Sequence, residues 1–331
     1  MAGGGLGMSG QPLLQVEDLC THFRLPKANW FGPARVVFAV DGVSFQILRG
    51  KTFGLVGESG CGKSTTALSV LRLIEPTSGS IKFDGINLLA LKPEKMRKLR
   101  RRMQIIFQDP YSSLNPRATA GQIVGAPLDI QQIGTPQERA ERIGEIFRLV
   151  GLRPEHRGAY PHQFSGGQRQ RICIARALSS SPDLIVCDEP VSALDVAIRA
   201  QILNLLARLQ RELKLTYIFI SHDMAVVQHI CDEIAVMYLG KIVEIADRRT
   251  LFKKPLHPYT QALLSAVPTI DMEIKRSTRR IRLTGDPPSP MNPPSGCRFH
   301  NRCFRAEPIC GHEQPVLKEV SLGHSVACYF V

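Results

Sequence analysis

The stretch Gly57-Glu58-Ser59-Gly60-Cys61-Gly62-Lys63-Ser64 decides the fold of this chain, because it fits the pattern GxxxxGK[ST]. An apolar segment, residues 52–56, comes directly before it, and a pattern with helical spacing follows from Thr65. A strand, a glycine-rich loop and a helix in this order predict a phosphate-binding loop, since backbone N–H groups can surround an anion there and the helix adds its positive N-terminal end. Lys63 is expected to reach the β- and γ-phosphates of a nucleotide, and Ser64 to offer its hydroxyl to Mg²⁺.

Length and composition indicate a soluble globular protein. The 331 residues are enough for one large α/β domain and a smaller appendage, and 44% of them are hydrophobic. Because no stretch approaches about 20 uninterrupted apolar residues, we do not expect the chain to span a membrane by itself. Residues 1–12 are small and mostly uncharged, which predicts a flexible tail and not a signal peptide.

The net charge of +13 is compatible with nucleic acid, an anionic membrane surface or a well-solvated exterior. The densest basic patch, residues 92–102, contains no aromatic side chains on which bases could stack. It therefore favours a solvated or lipid-facing surface, and we expect no nucleic-acid partner.

Two apolar runs end in residues suited to phosphate chemistry. Residues 184–187 predict a strand buried on both faces, and Asp188 and Glu189 follow it directly. We expect Asp188 to hold hydrated Mg²⁺ and Glu189 to orient or deprotonate the attacking water, although a capping Asp followed by a solvated Glu is the plainer alternative. A second buried strand, residues 217–220, leads to His222, which the switch-point rule for α/β sheets favours as a γ-phosphate contact.

The segment between these motifs predicts a helical insertion. Residues 105–107 are expected to form a short buried strand that places Gln108 beside the nucleotide. Residues 120–152 have mostly helical spacing. Further on, the glycine pair of Ser165-Gly166-Gly167-Gln168 comes before a predicted helix at 169–178, and Ser192 to Asp195 is expected to start a helix that runs to Leu213.

The N-terminal part predicts extended structure. Residues 13–23 form one predicted strand, and residues 36–47 are expected to carry a strand pair. Between them lies a loop in which an aromatic side chain could stack on adenine or simply pack. Residues 234–238 and 241–245 predict a hairpin.

In chain order, residues 57–64, Gln108, 165–168, Asp188-Glu189, 192–195 and His222 resemble the ATP-binding subunit of ABC transporters, over about residues 13–250. The resemblance implies a P-loop NTPase of the ABC type, with a mostly parallel core sheet, an antiparallel β N-terminal part and a helical subdomain at about 110–178. It also implies that two such domains meet head to tail, so that each ATP lies between the phosphate loop of one subunit and the Ser-Gly-Gly-Gln segment of the other.

The resemblance also implies the role of each residue. Glu189 would be the catalytic base, His222 would stabilise the γ-phosphate and Gln108 would sense the metal and a transmembrane partner. Mg²⁺ would be held by Ser64, Gln108 and Asp188. The residues expected to bind nucleotide are Gly57, Glu58, Ser59, Gly60, Cys61, Gly62, Lys63, Ser64, Thr65, Asp188 and, across the dimer, Ser165, Gly166, Gly167, Gln168 and Asp195. Trp30, Phe31 and Phe38 are the candidates for stacking on adenine.

Longer strings resemble the dipeptide/oligopeptide branch of bacterial importers, a branch that includes nickel importers. They are residues 107–116, 160–165 and 255–260, and the insertion with Trp30-Phe31-Gly32 is similar to that of the second ATPase subunit of the branch. This implies a second, homologous ATPase subunit, two permeases and an extracytoplasmic binding protein, with this chain peripheral on the cytoplasmic face of the inner membrane. A soluble ABC ATPase acting on ribosomes or DNA is the alternative of another class, and a module that binds ATP without turnover is a third.

The nine cysteines divide into two groups. Five stand singly and are expected to be reduced thiols: Cys20, Cys61, Cys173, Cys187 and Cys231. The other four, Cys297, Cys303, Cys310 and Cys328, follow a proline-rich linker, residues 284–296, in a C-terminal extension (residues 251–331). Their wide spacing lacks the C-x₂₋₄-C pairs of zinc sites and favours a [4Fe-4S] cluster, which the resembling importer tails also contain. A mixed Cys/His zinc site with His300, His312 or His324 remains the alternative.

Overall fold

The computed structural model describes residues 11–25, 35–267 and 281–331. Its strands, in chain order, are β1 (Pro12–Leu25), β2 (Arg35–Leu48), β3 (Thr52–Val56), β4 (Ser78–Phe83), β5 (Ile86–Asn87), β6 (Met103–Ile106), β7 (Leu184–Asp188), β8 (Thr216–Ser221), β9 (Glu233–Tyr238), β10 (Lys241–Asp247), β11 (Lys318–Ser321) and β12 (His324–Val326). They form a four-stranded sheet in the order β2-β1-β4-β5 and an eight-stranded sheet in the order β11-β12-β10-β9-β3-β8-β7-β6.

The eight-stranded sheet is parallel at its centre. Strands β6, β7, β8, β3 and β9 pair in parallel, whereas β10, β12 and β11 pair antiparallel. Every residue of β3, β7 and β8 is buried, as expected for strands covered on both faces. Parallel strands present their carboxyl ends at one edge, so the residues after β3, β7 and β8 meet there.

The helices are α1 (Lys63–Val70), α2 (Pro93–Leu99), α3 (Ala120–Ile130), α4 (Pro136–Leu149), α5 (Gly166–Ser179), α6 (Val196–Leu213), α7 (Met224–Ile230), α8 (Arg248–Lys253), α9 (Pro258–Ser265) and α10 (Pro308–His312). The predicted helical segment between β6 and β7 is confirmed, and it is divided into α3 and α4. A capping box starts each of these two helices, formed by Thr119 with Gln122 and by Thr135 with Glu138.

Two hydrophobic clusters cover the faces of the large sheet. The first includes Phe147, Ile172 and Phe219 and joins the helices to the sheet. The second joins the four-stranded sheet to the other face, where the rings of Phe45 and Phe53 stack with their centroids 4.8 Å apart. No helix among the described residues is long and apolar enough to cross a membrane.

Several predicted boundaries were wrong. Residues 36–47 do not form a strand pair, because β2 is one continuous 14-residue strand paired with β1. Strand β6 begins at Met103 and ends at Ile106, and Phe107, predicted as buried, is 40% exposed. Helix α6 begins at Val196 and not at Ser192, since the chain is still extended at Asp195, which occupies the N-cap.

The hairpin of β9 and β10 was predicted correctly. Its turn residues, Leu239 and Gly240, both have positive φ (44° and 80°), as tight hairpin turns require. The predicted tail at residues 1–12 lies outside the described residues except for its last two, and so does the aromatic pair Trp30 and Phe31.

The C-terminal extension continues the main sheet. Strand β12 pairs with β10, with Glu244 opposite Val326 and Ala246 opposite His324, and β11 adds a further strand. Within this junction His324 Nε2 lies 2.8 Å from Glu244 Oε1, and both side chains are almost completely buried. The sequence predicted a loop-like segment here, but β12 is buried at His324 and Val326, while β11 is exposed along its whole length.

Candidate functional site

The phosphate-binding loop (residues 57–64) connects β3 to α1 at the carboxyl edge of the sheet. Two of its glycines are required by close packing. A side chain at Gly57 would overlap the carbonyl of Met237, and one at Gly62, where φ is 108°, would overlap the carbonyl of Ala39. Helix α1 starts at Lys63, within the last two residues of the loop, so its N-terminal N–H groups point toward the loop.

Lys63 lies along the inside of this loop. Its side chain is buried, and Nζ donates hydrogen bonds to the carbonyl oxygens of Gly57 and Glu58, both at 2.8 Å. A buried ammonium group inside a ring of backbone amides suits an anion with several charged oxygens.

Ser64 and Asp188 meet across the edge of the sheet. Ser64 Oγ donates to Asp188 Oδ1 at 3.0 Å, as expected for two groups that share a hydrated Mg²⁺. Burial raises the pKa of Asp188, and the charge of Glu189 raises it further, while Ser64 and Lys63 oppose both effects. A cation bound here would favour the ionised carboxylate.

Glu189 is held by two side chains. Gln108 Nε2 donates to Oε2 at 2.9 Å, and His222 Nδ1 lies 2.9 Å from Oε1. The three residues come from the ends of β6, β7 and β8, so the sheet itself brings them together. A carboxylate with both oxygens oriented in this way can position a water molecule or accept a proton from it.

One cavity of about 490 Å³ connects these groups. Its lining includes Gln108, Glu189 and His222 together with residues of the phosphate-binding loop and α1: Ser59, Gly60, Gly62, Lys63, Ser64 and Thr65. Val37, Ala39 and Pro290 complete its wall. The cavity is thus a nucleotide-sized space with a basic floor and an acidic rim.

Ser165 to Gln168 and Asp195 do not line this cavity. Ser165 is the N-cap of α5 and forms a capping box with Gln168, and its side chain is exposed. Gly167 packs closely against Ile198 of α6. Phe164, the residue before Ser165, is buried in the helical part of the core.

The comparisons with known proteins agree with this arrangement. Residues 40–192 match the ABC transporter family, and residues 243–310 match the C-terminal region of oligopeptide/dipeptide transporters. The chain is 52% identical over 319 residues to the putative oligopeptide transport ATP-binding protein YkfD of Bacillus subtilis, covering 96% of this chain and 95% of that protein. It is 50% identical over 321 residues to the dipeptide transport ATP-binding protein DppF of Escherichia coli, covering 97% and 95%.

The chain belongs to the ABC transporter ATPases. A solved structure supports the same fold: the dimeric, post-hydrolysis ATP-binding cassette MJ0796 bound to ADP and Pi superposes with a TM-score of 0.63 at 28% identity, covering 71% of this chain and 99% of that one. Members of this family hydrolyse ATP with Mg²⁺.

Of the three aromatic residues considered for stacking on adenine, Trp30 and Phe31 lie outside the described residues. Phe38 does not line the cavity, because alternate residues of β2 point to opposite faces and its neighbours Val37 and Ala39 face the cavity. Phe38 packs edge-on against His22 instead, with ring centroids 4.7 Å apart.

The four C-terminal cysteines of the ABC ATPase come together. Cys297, Cys303, Cys310 and Cys328 all line one small cavity, which His300 and His257 also border. Burial raises the pKa of the Cys297 thiol to about 11, and the other three sulfur atoms add to this effect. All nine cysteines are among the described residues, and no two of them form a disulfide bond.

Three residues near the cavity were not predicted from the sequence motifs. Arg302 and Tyr259 contact Glu58 of the phosphate-binding loop, and Pro290 lines the cavity itself. All three belong to the C-terminal extension. Tyr259 lies in the string 255–260 that indicated the importer branch, which was the only signal for it in the sequence.

Proposed function

We propose that this chain hydrolyses ATP with Glu189 as the general base. The observation that carries the proposal is the pair of hydrogen bonds from Gln108 and His222, which leaves Glu189 on the rim of the cavity lined by Lys63 and Ser64. Mg²⁺ bound through Ser64 and Asp188, and sensed by Gln108, would neutralise charge on the β- and γ-phosphates. His222 would then contact the γ-phosphate, while Lys63 balances the charge of the phosphates.

Each site is completed by a second ATPase subunit. Ser165 to Gln168 stand at the exposed N-terminus of α5, outside the cavity of their own chain, where the helix end favours an anion. In a head-to-tail dimer this segment and Asp195 would contact the ATP bound to the partner. We expect the partner to be a different but homologous ATPase subunit.

The dimer would drive import of dipeptides or oligopeptides. The match of residues 243–310 to the peptide-transporter C-terminal region supports this cargo, as do the names of the relatives. Two permeases and an extracytoplasmic binding protein would complete the importer, with this chain on the cytoplasmic face of the inner membrane. Tyr111, which is 60% exposed and stacks under Arg169 at 4.1 Å, lies next to Gln108 and is available to a permease.

Uptake by whole cells tests the cargo. In a strain that lacks this chain, a plasmid copy should restore uptake of a labelled tripeptide, and a copy with Lys63→Ala should not, because ATP binding is lost. Nickel uptake measured in the same cells is the comparison. Restored nickel uptake without restored peptide uptake would contradict the peptide assignment and support the nickel alternative.

We also propose that Cys297, Cys303, Cys310 and Cys328 hold a [4Fe-4S] cluster. A tetrahedral zinc site with bonds of about 2.3 Å needs sulfur atoms about 3.8 Å apart. Among the described residues, however, the only three ligand atoms of His, Cys, Asp or Glu that lie mutually within 4.8 Å belong to Cys20, His22 and Asp41, and Lys241 and Arg298 already pair with Asp41. No three of the four cysteine sulfur atoms therefore lie mutually within 4.8 Å, which fits a cluster better than one zinc ion.

The histidines differ in what they indicate about zinc. His324 is hydrogen-bonded to Glu244, but His300 donates from Nδ1 to the carbonyl of Cys297 at 2.8 Å, an orientation common among metal-binding histidines, so the mixed Cys/His zinc site stays the alternative. Such a cluster would supply a covalent cross-link for the extension, since four thiolates from distant positions would share one inorganic core.

Purification without oxygen tests the cluster. The protein should be brown, with a broad visible absorption that bleaches in air, and Cys303→Ser should lose the colour while Cys231→Ser, at a buried cysteine elsewhere, keeps it. A colourless anaerobic preparation with one zinc ion per chain would contradict the cluster and support the zinc site.

A further inference from the structure

We propose that Arg302 is a positioning residue for the phosphate-binding loop and that the C-terminal extension thereby forms part of the nucleotide site. The proposal rests on ATP binding at residues 57–64 and goes beyond it, because it concerns a residue far outside the ATPase motifs. Arg302 reaches Glu58, the second residue of the loop, across 244 positions of sequence.

The contact between Arg302 and Glu58 is bidentate. Nη1 lies 2.7 Å from Oε2 and Nη2 lies 3.1 Å from Oε1, and the Arg302 side chain is only 7% exposed. Two parallel hydrogen bonds fix the orientation of a carboxylate as well as its position. The guanidinium is itself held, because it lies over the ring of Tyr238 and Nη1 is within 3.4 Å of the Tyr238 hydroxyl.

The backbone of Glu58 is held by the same extension. Its N–H donates to the hydroxyl of Tyr259 at 2.8 Å, and Tyr259 is fully buried against Tyr238 and Phe299. The carbonyl of Glu58 accepts a hydrogen bond from Lys63 Nζ. The side chain, the N–H and the carbonyl of Glu58 are therefore all engaged, and the last of them guides the lysine that faces the phosphates.

A second connection supports the first. Arg298 Nη1 donates to the carbonyl of Leu239 at 2.5 Å, and the next residue, Gly240, donates its N–H to the carbonyl of Cys61 in the phosphate-binding loop at 2.8 Å. Arg298 therefore reaches the loop only indirectly, through the turn between β9 and β10, whereas Arg302 contacts it directly.

The charge of Glu58 gives the contact a further role. A carboxylate inside a loop that binds phosphates repels them, and Arg302 neutralises that charge. Loss of Arg302 should therefore weaken nucleotide binding in two ways, by releasing the loop and by leaving a negative charge beside it. A contact that merely stabilises the extension would change the melting temperature and leave nucleotide affinity unchanged.

Binding of the fluorescent analogue trinitrophenyl-ATP with Mg²⁺ to the full-length chain tests the proposal. Arg302→Gln should raise the Kd at least about tenfold, because it releases the loop and leaves the charge of Glu58, whose side chain is 28% exposed, without its partner. Arg302→Lys, which keeps the charge and loses the bidentate geometry, should fall between this variant and the wild type. Arg305→Gln is the matched control, since the Arg305 side chain donates to the carbonyl of Phe330 within the extension and its backbone bond to Cys303 is kept in the variant. Its Kd should stay within about twofold of the wild type.

A double-mutant cycle assigns the effect to Glu58. In a Glu58→Gln background the further change Arg302→Gln should alter the Kd by less than about threefold, because the charge that Arg302 neutralises is gone. The proposal is overturned if Arg302→Gln, or Arg302→Lys should the first variant fail to fold, binds with wild-type affinity, or if the loss is the same in both backgrounds. The measurement needs no permease or peptide, so it is independent of the transport assays.

Discussion

Glu189 has a backbone conformation that few residues other than glycine adopt. Its φ is 45°, in the left-handed region, and its N–H is bonded to the carbonyl of Ile220 in β8 at 3.1 Å. Ser192 Oγ donates to the carbonyl of Glu189, which fixes the other side of the turn. Strain of this kind persists only where surrounding contacts impose it, and here it directs the carboxylate toward Gln108 and His222.

At the residue scale, Asp188→Asn should raise the melting temperature of the chain at pH 7 without Mg²⁺ or nucleotide. Burial raises the pKa of Asp188, so the folded chain binds the proton more tightly than the unfolded chain does. The ionised carboxylate therefore opposes folding at pH values above its folded pKa. Asn removes that charge and keeps an oxygen for the hydrogen bond from Ser64.

The difference in melting temperature between Asp188→Asn and the wild type should shrink as the pH falls through the raised pKa of Asp188. The wild-type carboxyl group then becomes neutral in the folded chain. Asp41→Asn is the control, and it should change the melting temperature in the opposite direction. Burial alone would raise the pKa of Asp41, but Lys241 and Arg298 outweigh it and lower the pKa, so the ionised form stabilises the fold. This variant should melt lower than the wild type at pH 7. A lower melting temperature for Asp188→Asn would contradict the account.

At the element scale, three helices of the helical subdomain begin with the same kind of N-terminal cap. Helices α3, α4 and α5 each start with a capping box, at Thr119, Thr135 and Ser165. Only α5 places a glycine pair directly after its cap, where backbone can approach another molecule closely. The helices are alike in their caps, and α5 alone carries the features of an anion contact.

Ser165→Arg should therefore reduce ATP hydrolysis by the assembled transporter at least about a hundredfold while ATP binding at this chain's own loop is retained. The bulky side chain would fill the space that the partner's γ-phosphate needs. Thr135→Arg makes the same change in an equivalent cap on α4 and should leave hydrolysis nearly unchanged. If Ser165→Arg abolished ATP binding at its own loop instead, the head-to-tail arrangement would be wrong.

At the scale of the whole molecule, the C-terminal extension is part of the core. His324→Leu would leave the carboxylate of Glu244 buried with only the backbone N–H groups of Leu256 and His257 as partners. Removing a hydrogen-bond partner from a buried polar group costs about 1–3 kcal/mol. We expect a clearly lower urea midpoint for this variant, and no comparable change for His312→Leu, which alters an exposed histidine. Equal midpoints would mean that the junction contributes little to stability.

The features that could be predicted from the sequence are local ones. A glycine-rich loop between a strand and a helix, and polar residues directly after buried strands, are visible in short stretches, and the parallel sheet then brings Lys63, Glu189 and His222 together. Boundaries were less predictable, because Phe107 is apolar yet exposed at the end of an edge strand. The position of Phe38 was also missed, since the pleat of β2 turns it away from the cavity.

Contacts between distant segments could not be predicted. The pairing of β12 with β10 and the bond from Arg302 to Glu58 depend on how the last 50 residues fold back over the sheet, and no short pattern encodes that path. Pro290 illustrates the same limit. The proline-rich composition around it predicted a linker, but in the structure it lines the cavity that also contains Lys63 and Glu189.

ATP hydrolysis by the assembled importer with Glu189→Gln in this chain tests the central claim most directly. The glutamine keeps the shape and a hydrogen bond to Gln108 or His222 but cannot accept a proton from water. Turnover at this site should fall at least about a hundredfold while ATP is still bound, so that the closed dimer accumulates. Hydrolysis at the wild-type rate would contradict the assignment of Glu189 as the base.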